Sequence, residues 1–397
     1  MCKAHDVPSE QPAPATDRLA VGFDATPLLG RPTGVGVFCA GALDGLGARG
    51  DVEVSAFAVS WRRRAGIADR VPAGVGTGQR PMPARPLLAA WTRFDVPPLE
   101  WFVGPVDVVH GSNFVVPPTR RAARVVTVHD LTVCLYPELC DAPTLAYPGL
   151  IRRAVAEGTW VHTPSEFVAA EVVAELGVEP TRVRAVHHGL PRLPPAAPEH
   201  GISLPAGCAR YVLAVGTVEP RKDYPLLVRS FAAVAAAHPD TALVVVGGDG
   251  WGSERFSEAV ATSPVRDRIV RSGYLDDAAL SSVLAGAAVL AYPSRYEGFG
   301  FPPLQAMAAG VPVVATAGGA VPEVVGDGAW LVDPGDGDAL AERLVRALDD
   351  GSDVAALVAR GRARCHAFTW ERCAVGLVGL YRDAVAATSP RRRGAPR

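Results

Sequence analysis

From Leu19 onward the chain alternates short apolar runs with longer, alanine-rich stretches of mixed polarity. In its first half the short runs are RLAVGFDAT, VEVSAFAVS, VDVVHGS, RVVTVHD, TWVHTPS and VRAVHHG, most of them ending in small or polar residues. Their apolar positions are consecutive, so each predicts a strand covered on both faces. The stretches between, such as VGVFCAGALDGLGARG, predict helices that cross over between parallel strands. Residues 190–207, LPRLPPAAPEHGISLPAG, break the rhythm with five prolines and no periodicity, and mark a linker. Beyond it the alternation restarts with YVLAVGT, ALVVVGG, DRIVRSG, AVLAYPS and VPVVAT as strands, and PLLVRSFAAVAAAH and AALSSVLAGA among the helices. The pattern therefore predicts an α/β protein of two doubly wound domains, residues 18–189 and 208–370. Ligands of such sheets sit at the carboxyl ends of the strands, which makes the cleft between two facing sheets the place to look.

Composition narrows the class without changing this picture. The 397 residues are 49% hydrophobic and 20% charged, a globular balance, and the formal net charge of −2 gives no reason to expect nucleic acid as a partner. The seven cysteines are scattered with no C-x-x-C spacing, and read as reduced thiols of a cytoplasmic protein. The polar, proline-rich start has no apolar run resembling a signal peptide, and no stretch is long and apolar enough to span a membrane. Residues 1–17 and the basic tail 389–397 are expected to be disordered.

The polar residues at the strand ends carry the chemistry. Thr33-Gly34-Val35-Gly36-Val37 opens a helix, where bare backbone can approach an anionic ligand, although a glycine-rich turn can equally be structural. His110 and His129-Asp130 end two strands facing the cleft, and either histidine could be a packing residue or a catalyst. His187 and His188 lie beside the linker, where a structural hydrogen-bonding role is the preferred reading. Glu219, Arg221 and Lys222 precede a helix start, a place for a diphosphate or a solvated charged turn. In YPSRYEGFGFPPLQAMAAG a strand ends at Tyr292. Gly298 and Gly300 leave amides open, Pro302 or Pro303 begins a helix that Gly310 ends, and Gln305 falls in the first turn. Glu297 and Gln305 can then reach one ligand lying along the loop. Asp276-Asp277 reads as a helix cap and Asp349-Asp350 as a solvated helix end, so no metal constellation is expected.

These residues carry a family resemblance. GTVEPRKDYPLLV, GYLDDAALSSVLAGA, YPSRYEGFGFPPLQAMAAGVPVV, GGAVPEVVGDGAWLVDP and FTWERCAVGLVGLYRDAV occur in the order seen in retaining glycosyltransferases of the GT-B fold. The chain resembles in particular the family four group that includes bacterial mannosyltransferases. DATPLLGRPTGVGVF, VDVVHGSNFVVPP, VVTVHDL and TPSEF extend the resemblance over residues 19 to 385. It implies two Rossmann-like domains, the first on the acceptor side and the second holding the nucleotide sugar, with a last helix over 371–388 crossing back onto the first. By the same resemblance Glu297 contacts the donor sugar, and Gln305 holds the ribose in the second position of the E-x7-E signature. The amides of Gly298, Phe299, Gly300 and Phe301 face the donor between them. Lys222 matches the lysine on the diphosphate, Gly34, Val35 and Gly36 the loop near the phosphates, and His129 a histidine near the reacting sugar. Ser272, Gly273, Tyr274 and Leu275 match the segment meeting the nucleobase. Two departures stand out. Thr217 sits where many relatives have a phosphate-binding arginine, a role for which Arg221 is the substitute candidate, and Gln305 sits where glutamate is usual.

The implied activity is transfer of a hexosyl group, mannosyl by preference, from a nucleoside-diphosphate sugar to a saccharide, lipid-linked or small-molecule hydroxyl. GDP-mannose is the favoured donor and a UDP-sugar the other candidate, with no metal or separate cofactor. Two other classes compete. An epimerase or hydrolase would want acid and base carboxylates on the first-domain side, where Asp130 and Glu138 are the few on offer, and an idle binding subunit would draw its support from Gln305. The clusters Trp61-Arg62-Arg63-Arg64 and Arg120-Arg121 and the tail RRRGAPR could touch an anionic inner membrane, with a solvated surface preferred.

Overall fold

The computed structural model describes residues 18–388 apart from 31–32, 62–63, 79, 92–93, 141–143, 198–200 and 350. The expectation of disorder at both ends, and the basic pair Arg62-Arg63, fall outside these residues. Two parallel sheets form. The first holds β1 (Leu19–Asp24), β2 (Val52–Phe57), β3 (Gly76–Thr77), β4 (Val108–Gly111), β5 (Ala123–Thr127), β6 (Trp160–Thr163) and β7 (Val183–Ala185), in the order β3-β2-β1-β4-β5-β6-β7. The second holds β8 (Arg210–Val215), β9 (Thr241–Val246), β10 (Ile269–Gly273), β11 (Val289–Tyr292), β12 (Val313–Thr316) and β13 (Trp330–Val332), in the order β10-β9-β8-β11-β12-β13. All eleven apolar runs singled out above are strands. The other two, β3 and β13, have only two and three residues, too few for an apolar run to show.

Strand order reverses between β1 and β4 in one sheet and between β8 and β11 in the other, which opens a crevice at the carboxyl ends of these strands. Both crevices face the same space. The helix Trp370–Thr388 crosses back and packs on the first sheet, burying Cys373, Leu377, Leu380, Tyr381 and Ala384 on one stripe. Each large apolar side chain so buried contributes about 1.5–3 kcal/mol, enough to hold the helix on the other domain. Gly41 and Gly45 make this packing possible, since a Cβ at either would overlap Trp370. The two chain crossings between domains also touch: Leu190 N–H donates to the Phe368 carbonyl at 3.0 Å, and Gly189 lies against Trp370.

Below the cleft floor, Tyr381 Oη bonds His110 Nδ1 at 2.6 Å, and His110 Nε2 bonds Thr127 Oγ1 at 2.7 Å. Thr127 Oγ1 in turn bonds His162 Nδ1 at 2.9 Å, and His162 Nε2 donates to the Val186 carbonyl at 3.1 Å. The carbonyl fixes the direction of the whole chain: each group donates toward Val186, beginning with the Tyr381 hydroxyl. His110 is thus a satisfied, fully buried packing residue, which decides between its two sequence readings. Burial holds both His110 and His162 neutral, His162 with a pKa of about 3.

Candidate active site

A cleft of about 480 Å³ lies between the two sheets' carboxyl ends, a size suited to a nucleotide-sized ligand. Its second-domain wall is built on the turn after β8 and the turn after β11. Pro220–Lys222 form one tight helical turn, and Asp223 in the left-handed region (φ 47°) redirects the chain into the next helix. That conformation places Arg221 and Lys222 under the β11 turn, where Glu297 meets both. Lys222 Nζ lies 2.5 Å from Glu297 Oε1 and 3.1 Å from the Tyr292 hydroxyl. Arg221 Nη1 lies 2.5 Å from Glu297 Oε2 and 3.0 Å from the Tyr296 carbonyl, and Nη2 reaches Glu219 at 2.8 Å. Burial alone would raise the Glu297 pKa, but Arg221 and Lys222 outweigh it and hold the carboxyl at about 2. The carboxylate is therefore ionised.

The following turn brings the walls together. Gly298 touches the first domain so closely that a Cβ would overlap the His129 carbonyl, and its own carbonyl accepts from Ser165 Oγ at 3.0 Å. The Tyr296 hydroxyl accepts from Leu131 N–H at 3.1 Å and donates to Glu171. Gly300 adopts φ 114°, a conformation that side chains resist, and lets the helix Phe301–Ala309 begin. That start is one or two residues earlier than the prolines suggested, because they occupy the first turn and do not cap it. Gln305 is thus the fifth helical residue and not in the first turn, and it still lines the cleft.

Among the described residues the first-domain wall carries no paired ions. Thr33 caps the helix Gly34–Gly47 by accepting from Gly36 N–H at 3.3 Å, and Thr33, Gly34, Val35 and Val37 line the cleft. Gly36 points away, toward the Pro27 carbonyl. His129 lines the cleft and donates Nε2–H to the Ser112 carbonyl at 2.8 Å, and burial lowers its pKa, so it is neutral with a free lone pair on Nδ1. His188 lines the cleft beside it, almost fully buried.

Of the residues singled out from sequence, Gly34, Val35, His129, Thr217, Arg221, Lys222, Tyr274, Leu275, Glu297, Gly298, Phe299, Gly300, Phe301 and Gln305 therefore share one cleft. Gly36 and Gly273 do not line it; Gly273 (φ 73°) turns the chain at the end of β10. Sequence reasoning passed over His188 as structural. It also passed over Glu323, whose carboxylate accepts from the amides of Glu166 and Phe167 at 2.9 Å each and bonds His187 at 2.6 Å, tying the domains behind the cleft. The doubled histidine at a strand end beside the linker was the available signal for the first; nothing local marked the second. Among the described residues no three His, Cys, Asp or Glu side chains are grouped to hold a metal, and no helix is long and apolar enough to cross a membrane.

Two family models match the chain: glycosyltransferase family 4 over residues 32–192 and glycosyl transferases group 1 over residues 199–364. The O-antigen chain mannosyltransferase B of Escherichia coli is 29% identical over 286 residues, which cover 69% of this chain and 74% of that protein. A D-inositol 3-phosphate glycosyltransferase of Acidothermus cellulolyticus is 30% identical over 308 residues, covering 72% of this chain and 66% of its own. Among solved structures, a sucrose-phosphate synthase of Thermosynechococcus elongatus superposes with a TM-score of 0.71 over 93% of this chain and all of its own. At 21% identity that likeness concerns the fold.

Proposed function

The chain belongs to family 4 of the glycosyltransferases and has their GT-B fold, and on that premise we propose that it transfers a mannosyl group from GDP-mannose to an acceptor hydroxyl with retention of configuration. The observation that carries the reading is the meeting of Lys222, Arg221 and Glu297 on one wall, opposite His129 and the open helix start at Gly34, in a single cleft. The similarity to a mannosyltransferase supports the sugar, with other hexoses and a UDP-linked donor as the alternatives.

Transfer breaks the bond between the anomeric carbon and a phosphate oxygen, leaving positive charge on the ring and negative charge on the departing diphosphate. Lys222 and the amides of Gly34 and Val35 stabilise the second, and stabilisation of developing charge is usually the largest catalytic term. Arg221 joins them through the donors that Glu219, Tyr296 and Glu297 leave unused, in the role that Thr217 cannot fill. Glu297, ionised, accepts from hydroxyls of the sugar. Gln305 holds the ribose, the amides of Gly298 to Phe301 follow the donor, and Tyr274 and Leu275 meet the base. The acceptor hydroxyl attacks on the leaving-group face and its proton passes to the departing phosphate, which gives a glycoside and a nucleoside diphosphate. The two cations and the helix amides take the electrostatic part, so a chelator should leave the rate unchanged. Saccharides and lipid-linked or small-molecule alcohols all fit as acceptors, and Arg120-Arg121 would meet an anionic membrane if the acceptor is lipid-linked.

The test is a screen of sugar nucleotides against the purified protein, with products followed by NMR. Consumption of GDP-mannose with an α-linked product supports the proposal. A β-linked product overturns retention, free sugar as the sole product in the presence of acceptors makes the protein a hydrolase, and consumption of none of them removes the assignment.

A further inference from the structure

Four histidines surround the ring of Phe38. Centroid separations are 4.4 Å to His188, 5.3 Å to His129 and His162, and 6.2 Å to His110. Three of them are oriented by hydrogen bonds to the protein, His110 and His162 through the Thr127 chain and His129 through the Ser112 carbonyl. His188 differs. Its Nδ1 is buried with no partner among the described residues, and the ring is packed among aromatic rings. Phe38 of the first domain lies on one side at 30° to it, and Phe301 of the second domain lies at 5.6 Å and 16°, with Phe299 at 4.9 Å.

A buried polar atom without a partner destabilises the fold, and a phenylalanine would fill the same stack without that penalty. The imidazole therefore has to be explained by something that enters the cleft it lines. Its proton position follows from the same accounting. An orphaned buried N–H is the rarer defect, so the sealed Nδ1 keeps a lone pair and the proton sits on Nε2. His129 is the opposite case: its Nε2–H is engaged by Ser112, and Nδ1 is an acceptor. The two rings are 5.8 Å apart between centroids, tilted by 58°. One oxygen between them can accept from one ring and donate to the other.

We propose that His188 contacts the transferred sugar, donating Nε2–H to a hydroxyl oxygen whose own proton is donated to Nδ1 of His129. The inference rests on the glycosyl-transfer reading and deepens it. A hydroxyl satisfies both rings. A phosphate oxygen does not, because it has no proton for His129, and the charged groups that suit phosphate stand on the opposite wall.

The experiment compares wild type with His188→Phe, which keeps the stack, and His188→Gln, which returns an amide near the Nε2 position. Three quantities are measured: thermal midpoint, nucleoside-diphosphate affinity by calorimetry, and kcat and KM for the accepted sugar nucleotide. Expected for His188→Phe are an unlowered midpoint, nucleoside-diphosphate affinity within about twofold, and a fall in kcat/KM of roughly 10- to 100-fold, partly recovered by His188→Gln. Among monodeoxy forms of the donor, one should be slowed with wild type and slowed no further by His188→Phe. Wild-type turnover in His188→Phe, or loss of nucleoside-diphosphate binding in step with turnover, overturns the proposal and makes His188 a packing residue. A wild type that consumes no sugar nucleotide brings down the glycosyl-transfer reading and this one with it, whereas an active wild type with an equally active His188→Phe brings down this one alone.

Discussion

The two walls of the cleft are built on opposite electrostatic plans. On the second domain Glu297 and Glu219 pair with Arg221 and Lys222 within about 3 Å, so the wall is rich in charged side chains yet balanced. On the first domain Asp130 also lines the cleft, but the cluster at the floor is one of histidines, and burial keeps His110, His129, His162 and His188 neutral. Cations that are already paired can be re-paired when an anionic ligand arrives, so Lys222 and Arg221 can turn from Glu297 toward phosphate while the Glu297 carboxylate accepts from hydroxyls. Neutral rings with fixed tautomers instead read hydroxyls by the direction of their hydrogen bonds. The division suits a ligand with one ionic end and one polyol end.

Acid should break the two walls at different points. A histidine whose folded pKa lies below its unfolded value of about 6.5 binds fewer protons when folded, so the stability it allows is full above that value and falls as pH drops. For His110 and His162 together the loss is roughly 4 kcal/mol between pH 8 and pH 5, since each contributes about 1.4 kcal/mol per pH unit below its unfolded pKa. The Glu297 pairing has a depressed pKa. Its contribution is present above about 4.5 and is lost only as pH falls toward about 2. Urea titrations read at a series of pH values should therefore show a steep loss from pH 6.5 downward, and His162→Gln should flatten it. A stability flat from pH 8 to 5 would mean that these histidines are not held neutral.

Glu297→Gln should come next in size. It keeps the shape and removes the charge, so Lys222 and Arg221 lose their competitor for phosphate. Turnover should fall roughly 10²- to 10³-fold while nucleoside diphosphate binds as well as before or better. Equal losses in both would place Glu297 at the nucleotide and not at the sugar. Gly298→Ala acts on the contact between the walls, forcing the His129 carbonyl away. A shift of about 1 Å in a positioned site costs on the order of 10²-fold in rate, and nucleotide affinity, which rests on the second wall, should change much less. Paired kinetics and calorimetry on the same preparation test both variants.

How much of this was legible from residues alone depended on distance along the chain. The eleven apolar runs announced their strands because burial on both faces leaves a local trace, and the strand-end residue types announced a cleft. What was not legible is pairing. Nothing near Glu297 says that both cations, more than 70 positions upstream, will close on it, because the meeting depends on β8 and β11 being sheet neighbours. Gly34 and Gly36 look equivalent in a motif, yet two residues are about 200° of helix, so one faces the ligand and the other the Pro27 carbonyl. His188 was expected to hold a structural hydrogen bond, yet its Nδ1 has no partner among the described residues, since whether a buried nitrogen is satisfied can be known only after its neighbours are in place.

The smallest effect expected is at Gln305, where the charged wall gives up a charge. In its proposed role at the ribose, a carboxylate there would accept from two ribose hydroxyls, whereas the amide offers one accepting oxygen and a donating nitrogen. Gln305 lies in the cleft on the helix Phe301–Ala309. Gln305→Glu should tighten nucleoside-diphosphate binding several-fold, on the order of 1 kcal/mol, measurable by calorimetry. Because the ribose is far from the reacting carbon, kcat should stay within about twofold. A large rise in kcat without tighter binding would move Gln305 from the ribose to the reacting end, and would make the amide, and not the charged cluster around Glu297, the feature that limits this cleft.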